Sequence, residues 1–245
     1  MPDQPRQQPP PVQRLRVRYT KRGRLRFTSH RDFGRAFERA LVRAGIPMAY
    51  SSGFSPHPRI SYAGAAPTGA ASEAEYLEIG LAEQVDPAEV QRQLDGALPD
   101  GLDVVEVVTS SGGALADRLE ASHWQIRLPG VDPESGQRAV REFLDTPEVR
   151  VERMTKKGVR EFDVRAAVVS LEVGVGSDED RSCAILEVVL RHGTPAVRPD
   201  DVLAGLRSAG LRVPVAVLQQ RLAQGPLGEA GTVGDPLAPD RDVAG

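Results

Sequence analysis

Cysteine is almost absent from this chain. Its 245 residues include one cysteine, Cys183, and four histidines, His30, His57, His123 and His192. A four-cysteine zinc site or an iron–sulfur cluster needs more cysteines than the chain has. The histidines do not show the spacing of metal ligands, so we expect no metal site. Cys183 lies in an apolar run, which predicts a buried and inert thiol rather than a nucleophile.

Other absences narrow the class of protein. No run of about 18 apolar residues occurs, which excludes a membrane-spanning helix, and the first residues lack the apolar segment of a signal peptide. Together with the single cysteine, these features favour a cytoplasmic protein. There is no P-loop and no G-x-G-x-x-G motif, so we expect no cofactor. Aromatic residues make up only 4% of the chain, so its cores must be built mainly from Val, Leu, Ala and Ile.

Positive charge is concentrated between Val12 and Tyr62. This segment contains twelve basic residues, namely Arg14, Arg16, Arg18, Lys21, Arg22, Arg24, Arg26, Arg31, Arg35, Arg39, Arg43 and Arg59. Only Asp32 and Glu38 oppose them, so the segment carries a net charge of +10. Because the whole chain carries −3, the remaining residues sum to −13. Such asymmetry indicates a polyanionic partner, most often a nucleic acid, and the alternative is an ordinary solvated surface.

The composition divides the chain into five segments. Proline-rich or Gly-rich ends without apolar periodicity predict disorder, and a Gly-Ser stretch indicates a linker between two ordered halves. The predicted boundaries are a disordered arm over 1–11, a basic domain over 12–110, a linker over 111–120, a second domain over 121–223 and a disordered tail over 224–245.

The first ordered half has clear strand and helix patterns. Residues 14–19 alternate as a half-buried strand, and an apolar stripe over 33–44 predicts a helix. Ser29 is a good N-cap for this helix, and Asp32 completes a pair that resembles a capping box. The predicted order is strand, helix, strand, strand, helix, strand, which is a ferredoxin-like split βαβ unit.

The second half repeats this order less regularly. It contains an extra hairpin that turns at 156–158, and a long strand is predicted over 162–173. We therefore expect an α+β fold of two tandem ferredoxin-like units with mostly antiparallel sheets.

The start of the predicted helix is the first candidate site. Ser29, His30, Arg31 and Asp32 follow one another there. A helix N-terminus offers unpaired N–H groups and partial positive charge, so a phosphate is one predicted ligand. Acid–base catalysis by His30 is a second interpretation, and simple capping is a third.

The loop over 50–59 is the second candidate site. Prolines restrict the backbone on both sides of His57. Tyr50, Phe54 and Arg59 add rings and a guanidinium group, a mixture that suits the unstacked bases of single-stranded RNA. The alternative is a rigid connection between a helix and a strand.

A row of arginines is the third candidate site. Its members lie four residues apart along one helix face: Arg31, Arg35, Arg39 and Arg43. Like charges at this spacing repel by about 0.2–0.5 kcal/mol per pair, and an anion lying along the row would offset that cost. The alternatives are a solvated face or neutralisation by the acidic residues of segment 72–75.

Three stretches of the chain resemble a known family. They are K-R-G-R-L-R-F-T-S-H-R-D (21–32), R-A-G-I-P-M-A-Y-S-S-G-F-S-P-H-P-R-I-S-Y-A (43–63) and S-E-A-E-Y-L-E-I (72–79). On these motifs the chain is similar, over residues 13–220, to the radical-SAM-linked protein family, a bacterial domain of unknown function. The resemblance implies a module that extends a radical-SAM enzyme in many members and stands alone in others, as here.

This resemblance implies no substrate. A radical-SAM enzyme needs three cluster cysteines and this chain has one, so any such chemistry would belong to a partner. Eight positions fall within the family motifs: Ser29, His30, Asp32, Gly53, Phe54, Pro56, His57 and Pro58.

Together these features favour a non-catalytic RNA-binding module that presents RNA to a partner enzyme. The predicted nucleic-acid contacts are Lys21, Arg24, Arg26, Ser29, His30, Arg31, Arg35, Arg39, Tyr50, Phe54, His57 and Arg59. One alternative is a metal-independent endoribonuclease that uses His30 or His57. Another is an adaptor whose basic face docks a separately encoded radical-SAM protein. We expect no membrane partner.

Overall fold

The structure is a computed structural model, and it divides the chain into two compact units. The first unit comprises Met1–Arg118 and Pro236–Gly245, and the second comprises Leu119–Asp235. The first unit is therefore built from two separate parts of the sequence. The residues that the structure describes are 7–155, 158–178 and 181–242.

The first unit combines four strands with two longer helices. Its elements in chain order are β1 (Gln13–Lys21), α1 (His30–Arg43), β2 (Ile60–Ala63), β3 (Ala71–Leu81), α2 (Pro87–Ala97) and β4 (Val104–Thr109). The strand pairs β4–β1, β1–β3 and β3–β2 are all antiparallel. The predicted element order and the α+β class are confirmed for this unit.

Helix α1 forms where the apolar stripe predicts it. The Ser29 Oγ accepts a hydrogen bond from the Asp32 N–H at 3.2 Å and donates one to the Asp32 carboxylate at 2.7 Å. Phe33 and Phe37 are buried on the inner face of α1. The Phe33 ring stacks on Tyr19 of β1 with 4.7 Å between the ring centroids. Because this aromatic contact fixes the inner face, the polar face of α1 is turned to solvent.

The second unit also combines antiparallel strands with two longer helices, and it contains a separate hairpin. Its elements are β5 (Ala121–Leu128), α3 (Pro133–Asp145), β6 (Arg150–Thr155), β7 (Gly158–Asp163), β8 (Val168–Asp178), β9 (Arg181–Arg191), α4 (Pro199–Ser208) and β10 (Leu218–Gly225). Strands pair antiparallel in the order β10-β5-β9-β8, and β6 and β7 form the separate hairpin. The predicted turn at Lys156 and Lys157 lies outside the described residues. Cys183 is buried in β9, as predicted.

The long strand predicted over 162–173 is interrupted. β7 ends at Asp163, a turn of 3₁₀ helix spans Arg165–Ala167, and β8 begins after it. The Asp163 carboxylate accepts hydrogen bonds from the Arg165 N–H at 2.9 Å and from the Ala166 N–H at 3.2 Å. A short acidic side chain that binds the backbone two and three residues ahead favours a turn, and apolar alternation does not reveal this contact.

The predicted disordered arm is wrong for its described part. The Gln8 N–H donates to the Ser52 Oγ at 2.9 Å, and the Val12 N–H donates to the carbonyl of Leu81, the last residue of β3, at 2.8 Å. Pro11 lies so close to Gly80 that a side chain at Gly80 would collide with it. Residues 1–6 lie outside the described range.

The predicted disordered tail is also wrong for residues 224–242. The first residues of the predicted tail, 224 and 225, belong to β10, and a short C-terminal helix spans Ala238–Arg241. Asp240 in that helix is completely buried, which a solvated tail would not allow. Residues 243–245 lie outside the described range.

A buried cluster of charges ties this C-terminal helix to β1. Arg16 has no exposed surface, and its Nη1 donates to both Asp240 carboxylate oxygens at 2.9 and 3.0 Å. Its Nε donates to Glu78 at 3.1 Å. Its Nη2 donates to the carbonyls of Gly112 and Gly113, in the predicted linker, at 2.9 and 2.7 Å. Every nitrogen of this guanidinium therefore has an acceptor.

Asp240 accepts further hydrogen bonds at the same point. The Ser111 N–H donates to it at 2.8 Å, the Ser111 Oγ at 2.6 Å and the Arg118 Nη1 at 2.8 Å. Burial by itself raises the pKa of Asp240. The hydrogen bonds from Ser111, Arg16 and Arg118 outweigh burial, so the pKa lies below its ordinary value.

No helix within the described ranges is long and apolar enough to cross a membrane.

We expect Asp240→Asn to destabilise the protein by about 3–5 kcal/mol, because it removes one partner of a buried ion pair and leaves the guanidinium of Arg16 under-compensated. Urea unfolding followed by circular dichroism measures the change. Asp242→Asn is the matched control, because Asp242 is exposed and its substitution should alter stability by less than about 0.5 kcal/mol. Equal stabilities of the two variants would contradict this account.

The same carboxylate gives the stability a pH dependence. The pKa of Asp240 is lower in the folded state than in the unfolded state, so the ion pair contributes fully above the unfolded value of about 3.9 and is lost as the pH falls through the folded value. We expect the stability gap between wild type and Asp240→Asn to shrink between about pH 5 and about pH 2. A gap that stays constant over this range would show that another group carries the effect.

Candidate nucleic-acid interface

The arginines of the basic segment include a paired class, to which Arg14, Arg16 and Arg22 belong. Arg18 donates to the backbone carbonyl of Glu73 at 3.2 Å. Arg14 donates to Glu78 at 2.9 Å, and Arg16 shares the same carboxylate. Arg22 pairs with Glu73, and this hydrogen bond raises the pKa of Arg22. The paired arginines are neutralised within the first unit, so the net charge of +10 overstates what a ligand meets.

Lys21 is not on the surface, contrary to the prediction. It is 5% exposed, and its Nζ donates to the carbonyls of Ala66 and Pro67 at 3.1 and 3.3 Å. Lys21 follows the buried Leu15, Val17 and Tyr19 at the two-residue spacing of a strand, so alternation places its side chain on the same inward face. We therefore remove Lys21 from the candidate contacts.

The residues after β1 form a turn of 3₁₀ helix, Gly23–Phe27, instead of continuing the strand. Arg24 is exposed on it, and Arg26 is half-buried. The Arg26 guanidinium carbon lies 4.6 Å from the centroid of the Phe27 ring, within the range of a cation–π contact.

The four arginines of α1 form the unpaired class. They are Arg31, Arg35, Arg39 and Arg43, and all four are exposed. Among the residues that the structure describes, no carboxylate forms an ion pair with any of them.

The acidic segment 72–75 does not neutralise this row. Glu73 pairs with Arg22, and the buried Glu75 carboxylate accepts a hydrogen bond from the Ala66 N–H at 3.2 Å. The alternative of an intramolecular partner from segment 72–75 is therefore wrong for the arginines of α1.

One solvent-exposed face of the same helix carries five side chains: Arg35, Glu38, Arg39, Val42 and Arg43. We call it the α1 face. Val42 is 75% exposed. The helical spacing that places Val42 outside the buried stripe was available from the sequence, although Val42 was not among the predicted contacts.

The first turn of α1 places His30 against β2. The His30 ring contacts the Tyr62 ring edge-on with 4.8 Å between the ring centroids. The Phe33 ring also contacts the Tyr62 ring edge-on, at a centroid distance of 5.9 Å. The buried Tyr62 hydroxyl has no hydrogen-bond partner among the described atoms. Burial, with a smaller contribution from the charge of Glu38, raises the pKa of Tyr62 to about 12.

The second predicted site is a loop that closes on itself. The Ser51 N–H donates to the His57 carbonyl at 2.9 Å, and the His57 N–H donates to the Ser51 Oγ at 3.0 Å. The Arg59 Nε donates to the Tyr50 carbonyl at 3.0 Å. Phe54 and the His57 side chain are exposed. Within the described ranges, no hydrogen bond or ion pair joins this loop to the arginines of α1, so the structure presents two local surfaces on the first unit.

Comparison with known proteins identifies the family. The model of a bacterial family described as "Uncharacterized protein conserved in bacteria (DUF2344)" matches residues 14–199. The chain belongs to the DUF2344 family. No curated protein matches it.

Solved structures offer only distant likenesses to this DUF2344 protein. A chain from a Cbf5-Nop10-Gar1 complex matches with a TM-score of 0.41 and 11% identity, over 88% of this chain and 50% of that chain. An unknown protein from Galdieria sulphuraria matches with a TM-score of 0.24 and 14% identity, over 86% and 99% of the two chains. DyPB from Rhodococcus jostii RHA1 matches with a TM-score of 0.18 and 12% identity, over 82% and 85%. The chain spans half the length of the first of these, and at such scores none supports an argument.

We expect Tyr62→Phe to leave the stability of this DUF2344 protein unchanged or to raise it by about 1 kcal/mol, because a buried hydroxyl without a partner costs free energy. Urea unfolding measures the difference. Tyr62→Leu is the comparison variant, and it should destabilise the protein because it removes the ring contacts with His30 and Phe33. A clear loss of stability in Tyr62→Phe would mean that the hydroxyl has a partner in solution.

Proposed function

We propose that this protein is an RNA-binding module whose contact surface is the exposed face of α1 together with the 3₁₀ turn that precedes it. One observation carries the proposal: the arginines of α1 are exposed and unpaired among the described residues, whereas Arg14, Arg16 and Arg22 are neutralised internally. A fold that pairs some of its arginines and leaves a regular row of others free supports the binding of an external anion.

The energetics of the row support the same proposal. Arg31, Arg35, Arg39 and Arg43 repel one another along α1, at about 0.2–0.5 kcal/mol for each neighbouring pair. Glu38, the acid on the α1 face, can offset only part of this repulsion. A phosphate backbone lying along the helix would neutralise several of these charges at once and release the counterions that otherwise surround it.

The module is proposed to act without catalysis and to present its RNA to a partner. No hydrogen bond to the side chain of His30 or His57 exists among the described residues, so neither ring has a group that would orient it as a base. Cys183 is buried, and the chain has no other cysteine for a metal cluster. The resemblance to the radical-SAM-linked family favours a separately encoded radical-SAM protein as the partner, in the cytoplasm.

We propose further that both units are ferredoxin-like. In the first, β2 lies beside β3 in the series β4-β1-β3-β2, and the second follows the corresponding series β10-β5-β9-β8. These matching antiparallel series, with the β6–β7 hairpin as an insertion, support a tandem arrangement.

The test is RNA affinity as a function of salt. Fluorescence anisotropy of a labelled RNA should give affinity that falls steeply between about 50 and about 200 mM salt. We expect Arg35→Glu/Arg39→Glu to weaken binding and to reduce the slope of log affinity against log salt by about 1–2, because two cations leave the interface. RNA recovered after incubation in EDTA should be intact.

The matched control is Arg138→Glu/Arg141→Glu, which makes the same charge change on the exposed side of α3 in the second unit. This variant should bind RNA much as wild type does. Affinity that barely depends on salt, or equal losses in both double variants, would refute the proposed interface. Cleavage of the RNA that is lost in His30→Ala or His57→Ala would overturn the non-catalytic assignment.

A further inference from the structure

Exposed aromatic side chains are confined to the basic segment of the chain. The chain has one Trp, four Tyr and six Phe, all within the described residues, and only Phe27, Tyr50 and Phe54 among them are exposed. These three are 59%, 39% and 81% exposed, respectively. A chain this poor in aromatics would be expected to use them in its cores, and instead three of them are exposed in the same segment of the sequence as the unpaired arginines.

The backbone around Phe54 is fixed although its side chain is free. The two hydrogen bonds between Ser51 and His57 close the loop beneath it, and Tyr50 and Pro58 form an antiparallel bridge at its base. A ring held on a closed loop loses little conformational entropy when a flat ligand stacks on it. Phe54 is therefore pre-organised as a stacking platform.

Phe27 offers a second platform with a cation attached. The Arg26 guanidinium lies against the Phe27 ring at 4.6 Å, and Arg24 is exposed in the same 3₁₀ turn. Guanidinium planes and aromatic rings both stack on nucleobases, and the positive charge favours a phosphate nearby.

We infer that the ligand is single-stranded RNA that extends over both local surfaces, with its unstacked bases packed on Phe54 and Phe27 and its phosphates at the arginines of α1. This inference rests on the proposed function and names its substrate class. A duplex hides the faces of its bases within the stack, so it can use only the arginines. A single strand exposes those faces, and stacking on aromatic side chains then adds to affinity without requiring a particular sequence.

The experiment compares one RNA strand of about 20 nucleotides with the same strand annealed to its complement. This length exceeds the site sizes of about 4–16 nucleotides per OB fold in proteins that bind single strands. Anisotropy titrations use wild type, Phe54→Ala and Phe27→Ala. Wild type should prefer the single strand. Each Phe→Ala variant should lose about 5- to 150-fold in affinity for the single strand, as expected for loss of one stacked base, and little for the duplex.

Two further variants separate stacking from mere apolar contact and from misfolding. Phe54→Trp keeps a ring and should retain the affinity for the single strand, whereas Phe54→Leu keeps only apolar surface and should resemble Phe54→Ala. Val215→Ala removes a fully exposed apolar side chain from the second unit and should change nothing. Circular dichroism confirms that each variant is folded.

The outcomes distinguish this inference from the proposed function. Salt-dependent binding that is equal for both RNAs and unaffected at Phe54 and Phe27 would overturn the single-strand assignment and leave the RNA-binding proposal standing. A loss of binding to both RNAs in Arg35→Glu/Arg39→Glu, with a loss only for the single strand in Phe54→Ala, would support both. No binding to either RNA would overturn both, and the exposed rings would then belong to a protein contact.

Discussion

The buried pair of Arg16 and Asp240 is the interaction on which the first unit depends. It joins a strand near the amino end to a helix near the carboxyl end, and both side chains are removed from water. Charges buried in this way are tolerated only when their hydrogen bonds are complete, and here Ser111 and the linker carbonyls complete them. The pair thereby joins β1 to the C-terminal helix. Helix α1 in turn packs on β1 through the contact between Phe33 and Tyr19.

This internal pairing also decides which cations a ligand can meet. Three arginines form ion pairs with internal carboxylates: Arg14 with Glu78, Arg16 with Asp240 and Arg22 with Glu73. Lys21 is buried against backbone carbonyls. The arginines of α1 remain exposed, because the helix must turn its aromatic stripe inward and its polar face outward. Exposed positive charge without an internal ion pair is thus concentrated, among the described residues, on one helix face and its preceding turn rather than spread over the whole basic segment.

Periodic patterns could be predicted, and contacts that join distant residues could not. The stripe that defines α1, its cap at Ser29 and the element order of the first unit follow from local spacing and are confirmed. The strand predicted over 162–173 was wrong because the Asp163 carboxylate binds the backbone ahead of it. The prediction for Lys21 was wrong because its side chain lies on the inward face of β1 and its ammonium group donates to the backbone carbonyls of Ala66 and Pro67. The turn at Asp163 and the contacts of Lys21 depend on individual hydrogen bonds, and hydropathy patterns do not reveal such bonds.

By itself, the sequence determined the charge asymmetry, the single cysteine, the family motifs and the amphipathic helix that carries a row of arginines. Only the tertiary structure decided which of the basic side chains are neutralised, that Asp240 near the carboxyl end is buried, and that Phe27 and Phe54 are exposed. The physical reason is that charge and periodicity are properties of neighbouring residues. Burial and pairing depend instead on which distant residues meet, such as Arg16 and Asp240, and only the folded chain brings those together.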